Sequence, residues 1–253
     1  MQHRTRILLV GVLVAGCTSS AAPAPTDPPP SASAPLRTIS EVSCGGLGFP
    51  ISLLDEPGRA ETFDDPAAEA LRQVLSETDP EAGRLPDSGW REVARTDTEV
   101  VYVADAAPHT DAPYATVTVV REDDAWLVAG WSDCRLQAGV GPDSGLASFR
   151  VAPDEELASE LTEIPVLVTE RACNSGQDAR GRIAEPLIVL GGDAVTVVFA
   201  VRPRAGGHDC PSNPETPHLL VLPEPLGDRS LLDGSEFPAR DATLCANGEA
   251  CPP

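Results

Sequence analysis

The chain contains no lysine, so arginine supplies all 18 of its basic side chains, against 39 acidic ones and a net charge of −21. A surface this acidic repels polyanions. Nucleic-acid binding depends on clustered cationic side chains that release phosphate counterions, and attraction to anionic lipid headgroups needs similar clusters. The sequence contains no such cluster. We therefore expect no nucleic-acid partner and interpret the acidity as that of a solvated surface.

Catalytic motifs are absent as well. No G-x-S-x-G, S-x-x-K, H-E-x-x-H, P-loop or G-x-G-x-x-G pattern occurs in the 253 residues. The nearest approach, Gly141–Gly145, places Ser144 next to the second glycine and is typical of a linker. Histidine is scarce, and His109, His208 and His218 lie in Pro- and Asp-rich contexts that favour solvated loop side chains. The sequence therefore indicates no catalytic residue, no metal site and no cofactor.

Long apolar runs are also missing. The run Ile7–Ala15 follows two arginines and is too short for a transmembrane helix, which needs about 20 apolar residues. An ordinary cleaved signal peptide would need an A-x-A-like site, which is lacking. The stretch Leu13–Cys17 resembles the lipobox of bacterial lipoproteins. That resemblance implies that residues 1–16 are a signal peptide and that acyl chains on Cys17 anchor the protein in the lipid bilayer, at the outer face of the cytoplasmic membrane.

Residues 18–35 have almost no bulky apolar side chain and are rich in Ala, Pro, Ser and Thr. Such a segment cannot bury a core, so we expect residues 17–39 to form a disordered tether, of which about 20 residues span about 60 Å when extended at about 3.1 Å per residue. Arginine in place of lysine, with abundant Ala, Pro, Asp and Gly, is typical of a high-GC genome. In this composition the chain resembles actinobacterial envelope proteins.

Six cysteines remain beyond Cys17, an even number in a chain predicted to mature outside the cytoplasm. We expect three disulfides, although six cysteines allow 15 pairings. A zinc site is the weaker alternative, because no C-x-x-C pair occurs and the residues around Cys210 lack a known zinc spacing. Their distribution favours three pairs within domains: Cys44 with Cys134, Cys173 with Cys210, and Cys245 with Cys251.

Residues 40–138 show an α+β pattern. Asp65 is a good helix N-cap and Pro66 suits the first helical position. The following apolar residues recur on one helical face: Ala67, Leu71, Val74 and Leu75. Four strands should follow, at Trp90–Ala94, Glu99–Ala104, Ala115–Arg121 and Trp126–Ser132, with a hairpin turn between the last two. We expect one helix lying on a small antiparallel sheet.

Residues 139–153 contain Gly, Ser and Pro and are predicted to link two domains. The C-terminal domain, 154–253, should begin with a short helix at Asp154–Leu161 and continue as a mainly β, sandwich-like fold, either an antiparallel sandwich or a barrel of fewer than eight strands. Gly191 and Gly192 predict a hairpin, and Pro186 requires a sheet edge or bulge. The predicted strands are Ile164–Ala172, Ile183–Leu190, Ala194–Arg202 and His218–Pro223.

Four residues are possible binding residues. Trp126 and Trp131 are an odd number of positions apart, so on a regular strand they face opposite sides of the sheet. The outer one either forms a platform for a sugar or peptide or covers a second core. Asp228 and Arg229 lie in a Pro- and Gly-rich loop, where they either recognise a partner or form a structural ion pair.

The last third of the chain carries a second resemblance. The segments Arg171–Gly176, Cys210–Pro214 and Leu222–Gly234 resemble a domain of secreted actinobacterial lipoproteins, and no catalytic residue comes with that resemblance. We therefore expect a cell-envelope lipoprotein that acts as a binding or accessory module for an envelope protein or a small ligand. Two alternatives stay open: a secreted hydrolase that uses a carboxylate pair on an envelope glycan or ester, and a receptor with its site in a cleft between the two domains.

Overall fold

The computed structural model describes residues 39–44, 48–76, 85–106, 112–153 and 155–244. These residues belong to one compact unit, which is mainly β with one α-helix, as expected. None of the helices in these ranges is long and apolar enough to cross a membrane. The predicted signal peptide, Cys17, residues 17–38 of the predicted tether, Cys245 and Cys251 lie outside the described residues and stay predictions.

Fifteen strands and one α-helix make up the regular structure of the described ranges. In chain order they are β1 (Glu41–Ser43), β2 (Gly48–Pro50), α1 (Pro66–Ser76), β3 (Arg91–Arg95), β4 (Glu99–Asp105), β5 (Tyr114–Glu122), β6 (Ala125–Cys134), β7 (Leu136–Ala138), β8 (Gly145–Val151), β9 (Glu163–Glu170), β10 (Leu187–Leu190), β11 (Ala194–Val201), β12 (Thr216–Val221), β13 (Ser230–Asp233), β14 (Glu236–Phe237) and β15 (Arg240–Asp241). Short 3-10 helices occupy Ile51–Asp55 and Ala60–Thr62.

Helix α1 begins where the sequence predicts. Oδ1 of Asp65 accepts hydrogen bonds from the backbone N–H groups of Ala67 at 3.0 Å and Ala68 at 3.2 Å. These bonds satisfy two donors that the first turn leaves without helical partners, and such a cap contributes about 1 kcal/mol. The helix buries one face against the first sheet through Ala67, Leu71 and Val74.

That first sheet has the antiparallel order β3-β4-β5-β6. All four strands coincide with the predicted ones to within two residues at each end. The α1 side chains pack on one face of the sheet against Tyr102, Val117 and Val119. One helix on a small antiparallel sheet is therefore confirmed.

A second sheet, with the order β14-β7-β1-β2, packs on the other side of the first. Val42, Phe49 and Leu136 of this sheet lie in one core with Val103 of β4 and Tyr114 of β5. The Cys44–Cys134 disulfide follows β1 and ends β6, with its α-carbons 6.0 Å apart. This pairing is confirmed.

Strand β14 comes from a part of the chain far from the rest of the second sheet. Phe237 pairs with Leu136, and Glu236 pairs with Gln137, in antiparallel register. The second sheet is therefore built from both halves of the described chain.

The C-terminal region forms one seven-stranded sheet that curls into a half-barrel, with the order β12-β9-β8-β11-β13-β15 and β10 paired to β11. The predicted alternation in β11 is confirmed, because Val195, Val197, Phe199 and Val201 are all fully buried. Strand β13 pairs with the first half of β11 and β8 with its last three residues. Both strands therefore extend a single curled sheet, so of the two predicted alternatives the structure has the curl of a barrel and not the two stacked layers of a sandwich.

Two local predictions in this region are corrected. The segment predicted as a linker, 139–153, contains β8, a central strand of the half-barrel. No helix forms over residues 155–161 of the predicted Asp154–Leu161 helix. The carbonyl groups of Ser159 and Leu161 accept hydrogen bonds from the backbone N–H groups of Gly227 and Leu226, so this segment is held against the 222–227 loop.

The second predicted disulfide is also present. Cys173 and Cys210, with α-carbons 4.5 Å apart, join the loop after β9 to the loop before β12. Buried Glu170 lies next to this link and accepts hydrogen bonds from Arg182 and Asn174. Burial acts to raise the pKa of Glu170, but these hydrogen bonds outweigh it and hold the pKa below its ordinary value. The disulfide and the buried ion pair together order these two loops.

Candidate functional site

A cavity of about 300 Å³ lies where the second sheet meets the strands β10 and β11 of the half-barrel. This volume is at the small end of the range for ligand pockets in proteins. Most of its wall is apolar, and the side chains include Ile39, Val42, Ile51, Val189 and Phe237. The polar part of the wall includes Thr196 and Glu236.

The alternation of β11 places the cavity on the sheet face away from the half-barrel core. Val195 and Val197 point into that core, so Thr196 and Val198 point to the opposite face. There Val198 packs with Ala138 of β7 and with Ile39. The cavity is therefore lined by residues from both halves of the described chain.

Gly234, in the turn between β13 and β14, allows the backbone to run close to β11 at the cavity wall. A Cβ atom at this position would lie 2.6 Å from Cγ2 of Thr196 and 3.3 Å from Cδ1 of Ile39. The Gly234 N–H donates a 2.8 Å hydrogen bond to the carbonyl of Val197. A glycine is required here because any side chain would need the space that these neighbours occupy.

Glu236 is a charged residue among those that line the cavity, and its carboxylate forms an ion pair. Its Oε1 lies 2.7 Å from the Nη1 of Arg171, which comes from the loop after β9. Both side chains are about a quarter to a third exposed, so the ion pair is partly shielded from water. Of this ion pair, Glu236 lines the cavity, whereas Arg171 is not among the lining residues in the described part of the chain.

The two tryptophans proposed as binding residues lie on the same face of the first sheet, and the expectation of opposite faces is wrong. Trp126 is opposite Arg121, and Trp131 is opposite Val117, four residues earlier on β5. Opposed residues of an antiparallel pair share a face. A β-bulge in β6 lies opposite Thr118 and Val119 of β5. It inserts one extra residue between the tryptophans and so reverses the expected alternation.

Trp126 and Trp131 lie on the same face of the sheet but differ in burial. Trp126 packs against the core under α1, whereas Trp131 is 39% exposed. Trp131 lies on the edge strand β6, away from the cavity-lining residues. Its role as an aromatic platform stays a prediction.

Arg229 and Asp228 belong to the 222–227 loop and the turn after it. Arg229 pairs with Glu224 at 2.8 Å and donates hydrogen bonds to the carbonyls of Leu226 and Pro225. Arg229 therefore forms its ion pair with Glu224 of the same loop and not with Asp228, which is exposed. The structure does not place either residue at the cavity.

One pair of carboxylates converges elsewhere, at the beginning of α1. Nη2 of Arg95 lies 3.4 Å from Asp65 and 2.5 Å from Glu92. Asp65 already caps the helix, so this cluster has a structural role that accounts for its geometry. Within the described ranges, no three His, Cys, Asp or Glu side chains are grouped as metal ligands would be.

Sequence reasoning did not identify Thr196, Gly234 or Glu236. Each lies in an ordinary strand or turn context, and only the pairing of β14 with β7 brings Glu236 to the cavity. The nearest sequence signal was the unusual loop Leu222–Gly234, which ends at the glycine that lines the cavity. No protein family, no curated protein and no solved structure matches this chain.

Proposed function

We propose that this protein is a cell-envelope lipoprotein that binds a small ligand in the cavity between the second sheet and the half-barrel. The observation that supports this proposal is the cavity itself, with largely apolar walls and few polar groups. Small-molecule sites in proteins have this composition, because apolar walls supply affinity and a few polar groups orient the ligand.

The location rests on the sequence. Cys17, with its lipobox-like context, would anchor the protein at the outer face of the cytoplasmic membrane, and the tether would join the folded part at Ile39, which itself lines the cavity. The two disulfides favour an extracytoplasmic protein, because such bonds persist in oxidising compartments. The converging carboxylates Asp65 and Glu92 are already engaged by Arg95, so this pair does not support the hydrolase alternative.

Binding of an apolar fluorescent probe tests the proposal. The chain from residue 17 onward, with Cys17→Ser, is titrated with N-phenylnaphthylamine, whose fluorescence rises in apolar surroundings. Val189→Phe places a larger side chain in the cavity wall. Val221→Phe makes the same change on the outer face of β12, where Val221 is 57% exposed.

We expect saturable binding by the parent chain, a loss of about tenfold or more in affinity for Val189→Phe, and no change for Val221→Phe. Circular dichroism and urea unfolding show whether each variant is folded. Equal affinity of the folded Val189→Phe variant and the parent chain would place the probe elsewhere and contradict the proposal.

A further inference from the structure

We infer that the cavity selects an uncharged or cationic amphiphile over an anionic one, and that Glu236 is the residue that determines this selectivity. The inference rests on the proposed function and goes further, because it names the chemical class of the ligand. The ligand would have an apolar body and a hydrogen-bond donor such as an amine or hydroxyl group.

The apolar body follows from the walls. Ile39, Val42, Ile51 and Phe237 offer no hydrogen bonds through their side chains, so a polar molecule would lose its hydration there without compensation. The volume of about 300 Å³ corresponds to about ten water molecules in the liquid. A molecule of one to three rings or a short alkyl chain fits this space.

The donor group follows from Glu236. A carboxylate only accepts hydrogen bonds, and its two oxygens offer about four acceptor positions. The ion pair with Arg171 is made through Oε1. The carboxylate therefore has the capacity to accept a further hydrogen bond from a ligand N–H or O–H in the cavity.

Exclusion of anions follows from charge. An anionic ligand would lose its hydration beside the carboxylate of Glu236, where the apolar walls weaken dielectric screening. Arg171 offsets this repulsion only in part, because it contacts Glu236 from outside the set of lining residues. The net charge of −21 also disfavours the approach of an anion. Selectivity therefore arises from repulsion of the wrong ligand as much as from attraction of the right one.

A matched pair of probes tests this inference. N-phenylnaphthylamine is an uncharged amine, and anilinonaphthalenesulfonate has the same ring skeleton with one added sulfonate. Both are titrated against the chain from residue 17 onward with Cys17→Ser, and against its Glu236→Gln variant. The control is Glu224→Gln, which removes the same charge from another Glu–Arg ion pair, that with Arg229, away from the cavity.

We expect the parent chain to bind the amine at least about tenfold more tightly than the sulfonate. Glu236→Gln should strengthen sulfonate binding about fivefold or more, while the amine stays within about threefold, because the amide oxygen of glutamine still accepts a hydrogen bond. Glu224→Gln should bind both probes like the parent chain.

The outcomes separate the two proposals. Absence of amine binding to the parent chain would overturn the proposed function. Amine binding with equal sulfonate binding, or with the same probe preference in Glu236→Gln as in the parent chain, would overturn only the inference about Glu236. Loss of both probes from a folded Glu236→Gln variant would overturn it too, because the acceptor oxygen is retained.

Discussion

Gly234 lies so close to Thr196 that a single added methyl group would come within 2.6 Å of the Thr196 Cγ2 atom. The contact joins the turn before β14 to the cavity-facing side of β11. It decides how closely the second sheet approaches the half-barrel at the cavity, and it leads to a first prediction.

Gly234→Ala should destabilise the fold and weaken probe binding. The methyl group must displace Thr196 and Val198 or shift the turn, and such overpacking costs about 1 to 3 kcal/mol. Urea unfolding measures the cost. Gly207→Ala is the control, because nothing lies within 4 Å of an added Cβ there. Equal stability of the two variants would show that the Gly234 turn is loosely packed.

Removal of the Cys44–Cys134 disulfide should destabilise the protein more than removal of Cys173–Cys210. The first bond closes a loop with a sequence separation of 90 and the second one of 37. The chain-entropy relation then predicts that the free energy of unfolding falls by about 4 to 5 kcal/mol without the first bond and by about 3 to 4 kcal/mol without the second. Urea unfolding of the paired Cys→Ala variants tests the order, after peptide mapping under non-reducing conditions has verified both bonds in the parent chain.

The stability of the protein should fall as the pH is lowered through the range of histidine titration. His218 lies on β12, half-buried, with its ring edge-on to Phe199 at 5.5 Å between ring centres, and not in a solvated loop as its sequence context indicated. Burial lowers the pKa of His218 below 6.5, so the unfolded chain binds this proton more readily than the folded protein does.

The free energy of unfolding should therefore decrease from about pH 7.5 to about pH 5.5, and His218→Asn should reduce that decrease. Urea unfolding midpoints at three pH values across this range provide the measurement. His208→Asn, in the loop before β12, should keep the full decrease. An unchanged pH dependence in His218→Asn would assign the effect to other groups.

Cys17→Ser should release the protein from the membrane without unfolding it. The described fold begins at Ile39, and its two disulfides use other cysteines. Cell fractionation, with circular dichroism of the released protein, tests both parts of this prediction. Retention of the variant in the membrane fraction would place the anchor elsewhere in the chain.

Local patterns predicted much of the secondary structure correctly. The cap at Asp65, the apolar period of α1 and the alternation of β11 are set by neighbours in the chain, and each agrees with the structure. The failures have non-local causes. The bulge between Trp126 and Trp131 depends on pairing with β5, and the non-helical segment 155–161 is held by backbone hydrogen bonds to the distant 222–227 loop.

The sequence by itself determined the acidic surface, the lipobox-like N-terminus and the helix α1 with the strands of its sheet, because these depend on composition and on short-range periodicity. The two described disulfide pairings were predicted from the distribution of the cysteines along the chain. Only the tertiary structure decided that the C-terminal strands curl into one half-barrel and that β14 joins the second sheet. Neither local sequence predicts that Phe237 pairs with Leu136, since each is an ordinary apolar residue. That distant pairing brings Glu236 to the cavity wall opposite side chains from the other half of the chain.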